Sequence, residues 1–246
     1  MKVVINYNHY KVIKSIGGFT LSKKLSLAQK INVMRASVMG ANDGILSVAG
    51  IVIGVAGATS NSFAIFISGI AGMIAGTISM AMGEYVSVST QKDAQEMAII
   101  NTKLNLNSNY ASQMAFVRQK YVNTGIDPEL ADRATREIMT ADPLTTVVRE
   151  KYGFVPTAFT SPYAAAVASF ISFPIGSILP LAAITLLPQT IRVQATIIAV
   201  MIALALTGYS AAALGKANRS KAMLRNVISG LLTMVVTYAI GTLFKQ

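Results

Sequence analysis

Residues 36–58 read ASVMGANDGILSVAGIVIGVAGA, an apolar run interrupted by a single charge, Asp43. At about 1.5 Å of rise per residue, a helix of this length crosses the roughly 30 Å of hydrocarbon in a bilayer. Four more segments have the same character: Phe63 to Ser89, whose one charge is Glu84, and the uncharged Ser161 to Leu186, Val193 to Gly215 and Val227 to Phe244. Together they predict an all-α membrane protein with five transmembrane helices. Composition agrees, since 53% of the 246 residues are hydrophobic and only 13% are charged, about half the charge usual in soluble domains.

The first two spans join through Thr59-Ser60-Asn61-Ser62 and the third and fourth through Leu187 to Arg192, so each pair forms a hairpin. Between the second and third lies a polar stretch, 91–160, that is too long for an ordinary loop. Ala94, Met97, Ala98, Asn101 and Leu104, and later Leu130, Ala134 and Ile138, recur at spacings of three and four, which predicts about three helices in a small inserted unit. Asp127-Pro128 and Asp142-Pro143 each place an acidic N-cap before a first-turn proline. The chain therefore divides into an N-terminal segment (1–35), the first two spans (36–90), the inserted unit (91–160) and the last three spans (161–246). Leu21 to Val33 alternates apolar residues with lysines, as in a short amphipathic helix on an anionic membrane surface; a frayed basic tail is the alternative.

The net charge of +11 is a topology signal. Lys2, Lys11, Lys14, Lys23, Lys24, Lys30 and Arg35 precede the first span, and Lys216, Arg219, Lys221 and Arg225 precede the last. The opposite side carries only Arg192 and Lys245. Basic residues stay in the cytoplasm, which puts the N-terminus and the inserted unit inside and the C-terminus outside. No basic stripe interleaved with aromatics is present, so nucleic acid is not an expected partner. Cysteine is absent, and the single histidine, His9, lies outside every apolar run, which excludes thiolate sites, a histidine zinc site and a Ser-His-Asp triad. No nucleophile, base and orienting group converge anywhere, so neither an enzyme nor a resident cofactor is expected.

Asp43 and Glu84 are the two carboxylates inside the spans, and the spans hold no lysine or arginine at their depth. An ionised carboxylate in hydrocarbon costs about 2.5–3.5 kcal/mol even on lenient scales, so such groups face a bundle interior, a wet path or a bound cation. A metal ion or a proton is the expected counter-charge. Met39 lies four residues before Asp43, and Met80 four before Glu84, so each helix presents a thioether and a carboxylate on one face. Sulfur beside oxygen suits a borderline divalent transition metal better than magnesium or calcium, although methionine in a helix is more often core filler. A carboxylate in low dielectric also takes up protons more readily, which permits exchange of metal for protons. For Glu84, near the cytoplasmic end of its helix, a wet capping or pairing role is the alternative. Gly40 with Gly44, Gly50 with Gly54, and Gly72 with Gly76 are spaced for close helix packing. Gly44 also offers accessible carbonyls beside Asp43, and Pro174 and Pro180 predict kinks in the third span.

Gly40-Ala41-Asn42-Asp43-Gly44-Ile45-Leu46-Ser47 and Ser79-Met80-Ala81-Met82-Gly83-Glu84-Tyr85-Val86-Ser87-Val88-Ser89-Thr90-Gln91, with Ala168-Ser169-Phe170, Gly176, Leu179-Pro180, Gly230 and Thr237 to Gly241, resemble the vacuolar iron transporter family, which includes related yeast and bacterial manganese and iron transporters. The resemblance runs from about Arg35 to the end. It implies a homodimer of five-helix protomers that moves ferrous iron or manganese out of the cytosol in exchange for protons. The path would run near the dimer interface, with the positions of Asp43 and Met80 as metal contacts and Glu84 beside them. The expected setting is the plasma membrane of a bacterium.

Iron-transporting members carry a second, glutamate-rich site on the cytoplasmic helices. Here the helix after Asp93 keeps only Glu96, and Val147-Val148-Arg149-Glu150-Lys151 puts valines and a lysine where ligands would stand. Glu96, Glu137 and Glu150 are the residual candidates, and the expectation is a weaker, altered or absent cytoplasmic site. The missing glutamates also leave open a transport-inactive protein that binds a partner through these helices.

Overall fold

The computed structural model describes residues 27–157 and 159–245. The basic segment before Leu27, with His9 and the first part of the amphipathic stretch, lies outside the described residues. From Leu27 onward that stretch is already part of the first spanning helix, α1 (Leu27–Ala58). The others are α2 (Ser62–Ser108), α3 (Tyr110–Asn123), α4 (Pro128–Ala141), α5 (Pro143–Tyr152), α6 (Pro162–Leu186), α7 (Arg192–Leu214) and α8 (Arg219–Leu243). Among the described residues no strand occurs, and α1, α2, α6, α7 and α8 are long and apolar enough to cross a membrane. The protein is an all-α, multi-pass integral membrane protein.

Besides this earlier start of α1, two boundaries differ from the sequence reading. The helix after Asp93 is no separate element: α2 runs unbroken for 47 residues, about 70 Å at 1.5 Å per residue, so it is long enough to cross a bilayer and continue into the 91–160 stretch. No proline or glycine falls between Glu84 and Ser108 to stop it. The last helix starts at Arg219 rather than Val227 because Asn218 caps it, accepting from Lys221 N; Arg219, Lys221 and Arg225 belong to its first turns and not to a loop. The predicted caps at Asp127 and Asp142 are present, with Asp127 Oδ1 accepting from Glu129 N and Leu130 N and Asp142 Oδ1 from Thr145 N. In the inserted unit Val117, Met139 and Val147 form a small core, and Tyr110 donates to Met139 O.

In the bundle α1 is central. It packs most extensively on α6 and also touches α2, α7 and α8. Its residues Ile45, Val48, Ala49, Val52 and Ile53 meet Ile65, Phe173, Leu181, Ile184, Val200, Leu204 and Met234 in the main core. Lipid tails are as apolar as leucine, so van der Waals contact between closely approaching backbones holds such helices together. Gly44 lies against α6: a Cβ there would stand 2.1 Å from Phe173 O, and one at Gly176 would stand 2.1 Å from Ala41 O. Gly44 O accepts from Ser177 Oγ of α6, so its carbonyl is turned into the helix contact and not offered to a ligand. The α6 helix runs continuously through Pro174 and Pro180.

A polar link crosses the bundle where Asn42 Oδ1 accepts from Thr207 Oγ1 of α7 at 3.2 Å and Asn226 Nδ2 of α8 at 3.0 Å. At the opposite end Arg192, only 4% exposed, donates to Ser62 Oγ and Ser60 O of the α1–α2 turn. The residue that read as a topology charge is thus a clip between two hairpins. Arg192→Met leaves the Ser60 carbonyl without its donor and is expected to cost about 1–3 kcal/mol, seen as a lower melting temperature in detergent.

Candidate functional site

The cleft between α1 and α2 follows from their sequence periods. Arg35, Met39, Asp43 and Ser47 recur every four residues along one face of α1. The antiparallel α2 answers with Gly76, Ser79, Met80, Gly83 and Glu84. All of these but Arg35 line one cavity of about 420 Å³, with Phe173 of α6 as its remaining wall. The four residues singled out from sequence spacing, Met39, Asp43, Met80 and Glu84, therefore converge on one space. A Cβ at Gly76 would strike the Phe173 ring at 2.2 Å, whereas a Cβ at Gly83 meets nothing within 4 Å. One glycine admits the wall; the other leaves the cleft open.

The two carboxylates have different surroundings. Asp43 is half-buried, accepts from Ser47 Oγ at 3.0 Å and makes no ion pair among the described residues. Glu84 is only 6% exposed, and its Oε2 lies 2.9 Å from Arg35 Nη2. The expectation of no basic partner at this depth fails for Glu84. Arg35 precedes the apolar run and reads as part of the basic tail, yet the register of α1 against α2 sets it over the carboxylate. Because α2 continues to Ser108, Glu84 lies in mid-helix rather than near an end; it is buried and takes the pairing role of the alternative reading, with a guanidinium that is itself exposed. Arg35 is the neighbour of the candidate site that sequence reasoning missed, and the i, i+4 step from Met39 back to Arg35 was the available signal.

The candidates on the inserted unit do not come together. Glu96 is exposed and pairs with Lys92 at 3.5 Å. Glu150 pairs with Lys120 and Arg149, and Glu137 is exposed on α4. Val147 and Val148 are buried structural residues. Among the described residues no three of histidine, cysteine, aspartate and glutamate gather as a metal cluster. Two carboxylates, two thioethers and two serine hydroxyls in the α1–α2 cleft form the mixed oxygen and sulfur surface best suited to a divalent transition metal.

The chain is 32% identical over 211 residues to the vacuolar iron transporter of Acanthamoeba castellanii, covering 85% of this chain and 78% of that one. It is 35% identical to vacuolar iron transporter homolog 1 of Oryza sativa subsp. japonica, covering 86% and 73%. Against vacuolar iron transporter homolog 3 of Arabidopsis thaliana it is 31% identical, covering 88% and 85%. Residues 34–242, from the turn that holds Arg35 to the end of the last helix, match the VIT family, and the chain belongs to that family.

Proposed function

We propose that the protein transports a divalent transition metal, manganese or ferrous iron, out of the cytosol through the α1–α2 cleft in exchange for protons. The observation that carries this reading is the convergence of Met39, Asp43, Met80 and Glu84 on one cavity. Relatives named as vacuolar iron transporters support the iron side of this reading. Asp43 supplies the uncompensated charge that draws a cation in, the methionine sulfurs favour a softer ion over magnesium or calcium, and Glu84 completes the set. The excess of basic residues before α1 and around the start of α8 supports a cytoplasmic N-terminus and an external C-terminus, so the cleft would be filled from the cytosolic side.

The homodimer belongs to the same reading. Ile78, Met82 and Val86 on α2 are each more than half exposed beside the cleft, an apolar face that a second copy would cover. The inserted unit is not a strong metal store, because its remaining acids are paired or dispersed.

The test is flux of manganese, ferrous iron, cobalt and zinc into proteoliposomes against an opposed pH gradient. Manganese or iron flux that collapses the proton gradient is the expected result; flux that ignores the gradient would remove the exchange step. Gly83→Leu puts a side chain into the cleft from a position where a Cβ meets nothing within 4 Å, and is expected to lower flux by about tenfold or more with little change in thermal unfolding.

A further inference from the structure

The guanidinium of Arg35 already holds two of the groups that the proposed path assigns to the metal. Its Nη2 donates to Glu84 Oε2 at 2.9 Å and its Nη1 to Met39 Sδ at 3.3 Å; Nη2 also reaches Asn32 Oδ1 at 3.3 Å. Arg35 sits one turn before Met39 and two turns before Asp43, at one end of the α1 stripe that lines the cleft. Met80 and Asp43 are left free of it. A positive group thus occupies one half of the donor set while the other half stands open.

An arginine side chain does not lose its proton in proteins. It and a divalent cation cannot share one carboxylate oxygen without strong repulsion at that spacing. Departure of one of them relieves that repulsion. Glu84 is only 6% exposed and is fixed within α2, whereas the Arg35 side chain is 45% exposed and sits on a long flexible stem that reaches water easily.

Resting on the reading of this cleft as a metal path, we propose that Arg35 is a tethered cation that neutralises Glu84 and covers the Met39 sulfur in the metal-free protein, and swings into solvent when a divalent ion takes those groups. It is a positioning residue, not a ligand. While the path is empty, it spares the buried carboxylate from standing unpaired, a strongly destabilising condition. When metal is bound, Arg35 competes for Glu84 and weakens the ion's hold, which suits a path from which the ion must also depart.

The experiment measures Mn²⁺ binding to the purified full-length protein by titration calorimetry. Arg35→Gln removes the competitor and is expected to tighten binding about fivefold; Arg35→Lys restores a cation and returns affinity towards the wild-type value. In a Glu84→Gln background the Arg35→Gln effect should vanish. A second measurement needs no variant. Phenylglyoxal modification of Arg35 in the wild-type protein, followed by mass spectrometry, is expected to quicken when Mn²⁺ is added, because the ion releases the guanidinium. Unchanged or weaker binding by folded Arg35→Gln, or slower modification of Arg35 with Mn²⁺, would overturn the proposal. The underlying reading has its own test: Mn²⁺ binding that survives Asp43→Asn would remove the metal path, and the role of Arg35 with it.

Discussion

Asp43→Asn is expected to reduce metal flux by at least about 100-fold with little change in folding. Asparagine has nearly the same size as aspartate and keeps a carbonyl oxygen for the Ser47 hydroxyl, so the packing of α1 is preserved. What disappears is the one cleft carboxylate without a basic neighbour. Loss of a group that merely orients a metal ligand costs about 10–100-fold in affinity, and loss of a charged ligand costs more. Flux in proteoliposomes, paired with thermal unfolding in detergent, separates transport from stability. Flux at the wild-type level in the asparagine variant would mean that Asp43 is not on the path. Glu84 should behave differently. Its removal also strands Arg35, so Glu84→Gln is expected to change stability as well as transport.

The second large effect concerns the α1–α6 contact. Gly44→Ala and Gly176→Ala are each expected to destabilise the bundle by about 3 kcal/mol or more, at or beyond the upper end for overpacked cores. In both cases the new methyl meets a backbone carbonyl at 2.1 Å, and a carbonyl within a helix cannot rotate away as a side chain can. The helices must separate, and separation displaces Phe173, which is both core and cleft wall. Gly83→Ala is the control, because nothing lies within 4 Å of its Cβ. A lower melting temperature and loss of monodispersity for the first two variants, and neither for the third, is the expected pattern. Equal stability across all three would show that α1 and α6 do not approach closely at Gly44 and Gly176.

Asp43 and Gly44 illustrate how one turn of helix serves two ends. Asp43 faces α2 and the cleft, Gly44 faces α6, and Asn42 faces α7 and α8. Three consecutive residues thus commit to three directions, since successive side chains are about 100° apart around a helix of 3.6 residues per turn. A substitution at any of them reports on a different contact, so stability and transport should be measured together for each.

The sequence alone determined what depends on local spacing. The five apolar spans, the two hairpin turns, the acid-proline caps and the placing of Met39 with Asp43 and of Met80 with Glu84 on shared helix faces follow from local residue type and a repeat of 3.6 residues, and each is present in the structure, although α1, α2 and α8 run well beyond their apolar segments. The inserted unit was legible as helical, but not as an extension of α2, because apolar periodicity shows that a helix exists and only the absence of a stop shows that it continues. Tertiary structure decided the rest. The Arg35–Glu84 pair joins residues 49 apart in the chain, Arg192 reaches a turn about 130 residues away, and Gly44 turns its carbonyl towards a helix more than 130 residues later. Such partners are set by the register of one helix against another, and no local pattern encodes that register.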